Sequence, residues 1–388
     1  MLAEAAAIYN SSVMKRMYHS LFVSGLMATA LVAVSPGSLR ADSKSALVAA
    51  QTLAGQVIAA GDQRFLYEGR LDMVNPAGPM VIWAGTRIRL DFEGSQLVLQ
   101  FAEATGQNFF NAEIDGVNTI VSVAEDPVRP VAVPFSLGPG RHRLELFKRS
   151  EAAKGQARFQ GVVIAAGAQA WAPVPPAYRL KTEFIGDSIT VGACNEDGAA
   201  DQWLDFRTHN HALSYDHLTS QAFRADHRAV AVSGMGVAAG WVEMKAGQIW
   251  DRIYPRADSP RADLSVWQPD VAFVMLGEND DSFPRAHGQP FPAGYGVGLV
   301  ALVKDIRAAY PHAQLVLLRG GMYGGAQSEP LREAWTASVK ELEAGDPAVH
   351  HFIFTHWAAT HPRVSDDRAL ADELVAWLKG QPFMQKFL

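Results

Sequence analysis

The stretch Phe184-Ile185-Gly186-Asp187-Ser188-Ile189-Thr190-Val191-Gly192 decides the fold. A short apolar run stops there at a small polar turn carrying one serine. Leu180 to Ile185 read as a buried strand, and Gly186 lets the backbone turn without Cβ strain. A serine just past such a strand stands near a helix N-terminus, where free N–H groups and the helix dipole favour developing negative charge. Ser188 is therefore the candidate nucleophile. The same Asp-Ser pair also suits an ordinary N-cap or turn.

Downstream of this stretch the pattern alternates. Further strands are predicted at Arg228 to Val232, Val271 to Leu276, Leu315 to Leu318 and His351 to Phe354. Helical patterns fill the gaps at Ser214 to Ala225, Tyr295 to Tyr310, Leu331 to Leu342 and Asp367 to Lys379. Alternation of this kind predicts a three-layer α/β domain with a mostly parallel sheet, whose chemistry gathers where strands end. Upstream, from about Arg64 to Ile164, seven short apolar or alternating runs are punctuated by Asp115-Gly116 and Pro139-Gly140. Many short strands without intervening helices predict an all-β sandwich or jelly roll. Trp83, Phe109 and Phe110 either stack on a ligand or fill the core, and aromatics in strands more often do the latter. Ala165 to Ala177, with small residues and three prolines, reads as a connector. The expected organisation is a β domain over 60–166, a linker over 167–177 and an α/β domain over 178–388.

Three more segments follow Gly186-Asp187-Ser188-Ile189-Thr190 in a fixed order. They are Val232-Ser233-Gly234-Met235-Gly236, Met275-Leu276-Gly277-Glu278-Asn279-Asp280 and Ala359-Thr360-His361-Pro362. Together the four resemble the blocks of the SGNH (GDSL-type) hydrolases, and the β-rich region upstream makes the chain most similar to carbohydrate esterase family 2. The resemblance implies a flavodoxin-like SGNH-hydrolase domain behind an N-terminal jelly roll.

Ester cleavage by a serine needs a base within reach, because the hydroxyl is a weak nucleophile. His361, in a loop before the last helix, is the candidate, with His350, His351 and His356 as rivals by position. The resemblance assigns the base to the His-Pro of the fourth block. It also implies an oxyanion hole built from the Ser188 N–H, the Gly234 N–H (or that of Gly236) and the Asn279 side-chain amide. Glu278 stands where many members carry threonine. The acid that such enzymes commonly place two or three residues before the histidine is missing, since those positions are Ala359 and Ala358. Asp366 and Asp367 read as first-turn acids of the last helix. The resemblance therefore implies a Ser-His dyad, a backbone carbonyl standing in for the aspartate.

Composition and motifs exclude several other classes. The formal charge is -6 and no Lys/Arg-rich run appears, so there is no footprint for nucleic acid. No His-Glu-x-x-His pair occurs, and the single cysteine, Cys194, reads as a buried small hydrophobe; no metal or other cofactor is expected. Gly320-Gly321 with Gly324-Gly325 reads as a mobile loop beside the site, while Trp203, Met235, Trp241 and Tyr323 either line a cleft or fill the core. Residues 1–41 carry Lys15 and Arg16, an apolar run from Leu21 to Val34, then Pro36, Gly37 and Ala41. That is the pattern of a secretory signal peptide, with Met14 a possible start and no stable membrane span after cleavage. The expectation is a secreted or periplasmic carbohydrate O-acetylesterase acting on acetylated polysaccharide of the xylan or mannan type. A lipase or thioesterase on the same fold, a peptidoglycan or exopolysaccharide deacetylase, and a non-catalytic glycan-binding protein stay open.

Overall fold

Eleven strands and then five more set the architecture in a computed structural model that describes residues Gly55–Leu388. The leader expected at 1–41 lies outside the described residues. The first group comprises β1 (Gly55–Ala59), β2 (Leu66–Glu68), β3 (Met80–Val81), β4 (Arg87–Glu93), β5 (Gln96–Gly106) and β6 (Asn108–Ile114). It continues with β7 (Val117–Val123), β8 (Val131–Ser136), β9 (Arg141–Lys148), β10 (Gly155–Ala165) and β11 (Ala170–Trp171). They form two sheets, one ordered β1-β10-β5-β8 with β3 on β10, the other β11-β4-β9-β6-β7 with β2 on β4. All their pairings are antiparallel.

Side chains alternate across each strand, so every second residue can reach a shared interior. Ile88, Leu90 and Phe92 from β4 meet Leu97, Leu99 and Phe101 from β5 in one apolar cluster. The two sheets thus close on a common core. Phe110 belongs to it, and Trp83 and Phe109 are also buried, so none of the three faces solvent as a stacking platform. The expected turn at Asp115-Gly116 joins β6 to β7, both residues having positive φ (54° and 83°), as a two-residue hairpin loop requires.

The second group is β12 (Leu180–Gly186), β13 (Ala225–Ala231), β14 (Val271–Met275), β15 (Gln314–Met322) and β16 (Val349–Ala358), all parallel, in the order β13-β12-β14-β15-β16. Successive residues of β14 feed opposite faces. Ala272 and Val274 pack with the helices Tyr295–Ala309 and Glu329–Gly345, while Val271, Phe273 and Met275 pack with the helices Tyr215–Ala222 and Val364–Lys379. Three layers result. Because β13 and β14 flank β12 on opposite sides, chain order reverses at the carboxyl end of β12, and a crevice opens where connections diverge. Ser188 lies two residues beyond that end.

Three sequence expectations change here. The stretch read as a connector contains β11, which pairs with Asp91 and Phe92 of β4, and its Trp171 ring lies under the Arg141 guanidinium. Composition hid this because a two-residue strand has no period. The β region is also no separate body on a tether. Trp83 enters the core of the α/β region and donates its indole N–H to the Ile253 carbonyl at 2.7 Å, and a buried Arg70–Glu183 ion pair at 2.9 Å crosses the same boundary. Gly320-Gly321 lie within β15, just before its last residue Met322, and Gly324-Gly325 lie in a short helix, Tyr323–Gln327, instead of a mobile loop.

Candidate active site

Ser188 opens the helix Ser188–Val191, with Asp187 as N-cap accepting the Ile189 N–H at 3.1 Å. The first N–H groups of a helix lack helical partners, and the dipole there favours negative charge. The serine is 3 % exposed. His361 arrives from the segment between β16 and the helix Val364–Lys379, and its Nε2 lies 2.8 Å from Ser188 Oγ. His350, His351 and His356 are held by Gln314, Glu343 and Asp366, so the rivals serve other partners.

The expectation of a dyad without a carboxylate is corrected. Asp201, in the loop after the serine helix, places Oδ2 2.6 Å from His361 Nδ1 and also takes the His361 backbone N–H at 3.3 Å. A carboxylate only accepts here, so Nδ1 carries the hydrogen and Nε2 offers its lone pair to the serine hydroxyl. Arg363 makes an ion pair with the other Asp201 oxygen at 2.8 Å and donates to the carbonyls of His361, Cys194 and Gly198. Burial pushes the Asp201 carboxyl up, but the His361 hydrogen bond and charge and the Arg363 contact outweigh it and hold the group down at about 2. Asp201 precedes His361 by 160 positions, where no local spacing could reveal it.

Asp366 and Asp367 do occupy the first turn of the last helix, with further duties. Asp366 bonds His356 Nε2 at 2.8 Å and accepts the Arg363 N–H. Asp367 is fully buried, holding the Asn195 amide and the Tyr215 N–H at 3.1 Å each. Glu278 does not reach the histidine either. Its carboxylate accepts the N–H groups of Gly324 and Gly325 at 3.0 and 2.9 Å. A Cβ on Gly324 would stand 2.8 Å from Glu278 Oε2, so only glycine permits the clamp.

The second and third blocks meet beside the serine. Asn279 Nδ2 lies 3.1 Å from Asp187 Oδ2 and 3.0 Å from the Met235 carbonyl, stitching three blocks together. Asp280 fixes the loop beyond Gly236 by accepting the N–H groups of Val237, Ala238 and Ala239 at 2.7–2.8 Å. Gly234 has φ +83°, a conformation that glycine adopts without strain. From the β region, Glu151 takes the Ser233 N–H at 2.8 Å. Burial pushes that carboxyl above the usual range.

Around the triad, Trp203 stands edge-on to His361 at 5.1 Å. Tyr323 and Trp241 are 44 % and 42 % exposed, whereas Met235 is core. Cys194 is buried and its thiol pushed up by burial, so it is no nucleophile. No helix among the described residues is long and apolar enough to cross a membrane.

Two family models match the chain: carbohydrate esterase 2 N-terminal over residues 67–176, and GDSL-like lipase/acylhydrolase over residues 184–374. Cellulase/esterase CelE of Acetivibrio thermocellus is 29 % identical over 327 residues; the match takes in 81 % of this chain and 39 % of that protein, so this chain spans about two fifths of that relative's length. An acetylxylan esterase/glucomannan deacetylase of Cellvibrio japonicus is 28 % identical over 335 residues, covering 80 % of this chain and 89 % of that one. Among solved structures, a family two carbohydrate esterase from Clostridium thermocellum, in complex with cellohexaose, superposes with a TM-score of 0.70 at 28 % identity, covering 81 % of this chain and 98 % of the other. One from Cellvibrio japonicus shares the fold with a TM-score of 0.74 at 22 % identity, over 86 % and 99 % of the two chains. The chain therefore carries a carbohydrate esterase 2 N-terminal domain followed by a GDSL-like hydrolase domain, and it is most like carbohydrate esterase family 2.

Proposed function

We propose that this chain is a carbohydrate O-acetylesterase that removes acetyl groups from polysaccharide. The observation that carries the reading is the unbroken relay from Ser188 Oγ through His361 to Asp201, at 2.8 and 2.6 Å. Ser188 Oγ attacks the acetyl carbonyl while His361 Nε2 takes its proton. The tetrahedral intermediate collapses, the C–O bond to the sugar breaks, and His361 returns the proton to the departing sugar oxygen. Water then attacks the acetyl-serine, gives a proton to His361, and acetate leaves as Ser188 regains its hydrogen. Asp201 holds the imidazole tautomer and offsets its charge.

The oxyanion falls to the Ser188 N–H, the Gly234 N–H and Asn279. Asn279 already donates to Asp187 and Met235 in the resting site, so a developing oxyanion competes with the Asp187 carboxyl for one amide hydrogen. That interaction strengthens only as charge develops, which is what catalysis requires. The finer fold reading is a jelly roll over about 60–166 ahead of a flavodoxin-like hydrolase domain. The strand order β13-β12-β14-β15-β16, second-first-third-fourth-fifth in the chain, supports the second part. Export to the periplasm or medium follows from the leader pattern in the sequence.

The substrate class rests on the relatives, whose names pair acetylxylan with glucomannan. Acetate release from acetylated xylan, acetylated glucomannan and O-acetylated muropeptides tests it. Release from either plant-type glycan is expected; release from muropeptides alone overturns the choice.

A further inference from the structure

Behind the serine helix, three buried polar side chains converge. His211 Nε2 and His227 Nε2 lie 2.9 Å apart, and Asp216 Oδ2 lies 3.7 and 3.6 Å from them. All three residues are fully buried. The Nδ1 atoms fix the tautomers. His211 Nδ1 faces the Thr190 carbonyl at 3.1 Å, which only accepts, so it bears hydrogen. His227 Nδ1 faces Ser220 Oγ at 2.9 Å, and that hydroxyl already donates to the Asp216 carbonyl at 2.8 Å, so His227 also donates from Nδ1. Two imidazole lone pairs and a carboxylate oxygen are left pointing at one another. Asp216 Oδ2 has no hydrogen-bond partner among the described residues, while Oδ1 is bonded by Ser214 Oγ.

We propose that His211 Nε2, His227 Nε2 and Asp216 Oδ2 bind a divalent transition-metal cation, zinc foremost, in a buried site. Two imidazoles and a carboxylate suit zinc, and zinc–ligand bonds of about 2.0–2.2 Å set tetrahedral ligand separations near 3.4 Å. The three observed separations, 2.9, 3.6 and 3.7 Å, bracket that value. Each imidazole also has the outer hydrogen-bond partner that ligating histidines need. Gly85 flanks the cluster with φ +82°, and a Cβ there would stand 3.1 Å from His211 Nε2, so the glycine keeps the space clear. Water supplies the fourth ligand.

Other charged or titratable neighbours do not complete the set. His217 points Nδ1 at Arg87 Nη2 at 3.3 Å, and Arg87 Nε lies 3.7 Å from Glu145. Spacing in sequence gave no sign of the site, because the ligands come from a 3₁₀ turn (His211–Leu213), a helix (Tyr215–Ala222) and a strand (β13). Its effect is local: through the Thr190 carbonyl, the cation anchors the helix that carries Ser188.

The site is read without substrate, so its test is independent of the esterase reading. Purified chain is stripped with a chelator, reloaded with zinc or cobalt, and dialysed. Metal analysis is expected to give about one zinc per chain. The cobalt form shows the visible bands of a tetrahedral site, and zinc raises the thermal midpoint. His227→Gln is expected to lose all three, while His142→Gln, remote from the cluster, keeps them. Absence of retained metal and of cobalt bands in the wild type overturns the proposal in favour of a shared proton. Equal metal in His227→Gln does so too, and marks surface binding.

Discussion

Replacing Asp201 by asparagine separates a triad from a dyad. Asparagine keeps the shape but loses the charge, and its two ends are no longer alike. The Arg363 guanidinium, 2.8 Å from one carboxylate oxygen, favours the amide oxygen on its own side. The amide NH2 then faces His361 Nδ1, 2.6 Å away in the native site. An NH2 group donates, so Nδ1 must accept and the hydrogen moves to Nε2, where it blocks proton removal from Ser188. The corresponding change in a serine protease costs about 10^4 in turnover, equivalent to about 5.5 kcal/mol of transition-state stabilisation. Both groups are largely shielded, with 14 % and 20 % side-chain exposure, so solvent cannot readily replace the lost partner. The assay is p-nitrophenyl acetate hydrolysis, with kcat falling by about 10^3–10^4 and KM little changed. A folded Asp201→Asn enzyme within tenfold of wild type refutes the reasoning and restores the dyad.

Other perturbations give equally definite outcomes. Asn279→Ala should lower kcat by about 10^2–10^3 in the same assay, since one oxyanion donor is worth that much; an unchanged kcat removes Asn279 from the hole. Asp366→Ala should leave turnover within about tenfold, whereas Asp367→Ala strands two buried donors and should cost about 2–4 kcal/mol in urea unfolding; equal stabilities contradict the contact analysis. Burial, with Glu278 and Asp280 adding negative charge, pushes the Asp187 carboxyl up to about 8 against hydrogen bonds from Ile189 and Asn279. Above about pH 4 the unfolded chain loses a proton that the folded one keeps, so this group's contribution falls as pH rises from about 4 to 8. Asp187→Asn should therefore flatten the decline in unfolding free energy between pH 5 and 8 by up to about 1.4 kcal/mol per pH unit; parallel slopes contradict the shift.

What the sequence made legible was whatever is local. β12 announces itself as an apolar run ending in Gly186-Asp187-Ser188, and β14 as five consecutive buried residues. Asn279 sits one turn beyond β14, so strand and block locate each other. The strand β7, Val117–Val123, escaped because five of its seven residues are exposed and its first four show no alternation. Asp201 escaped for a different reason. It lies in a loop with no period, and only the fold returns that loop to His361 across 160 positions. Absence of an acid at Ala358 and Ala359 correctly excluded one geometry, yet it was silent about any other. Separation in sequence, here 82 positions, also hid the contribution of the β region, whose Glu151 braces the second block at Ser233.

The most direct test of the account is to trap the acyl-enzyme. The protein is mixed with p-nitrophenyl acetate, quenched in acid within the first turnover, digested, and the peptide containing Ser188 weighed. The account predicts one acetyl group on Ser188 in the wild type, and none in Ser188→Ala, whose turnover also collapses. Acetyl on another residue, or sustained turnover by Ser188→Ala, would contradict it.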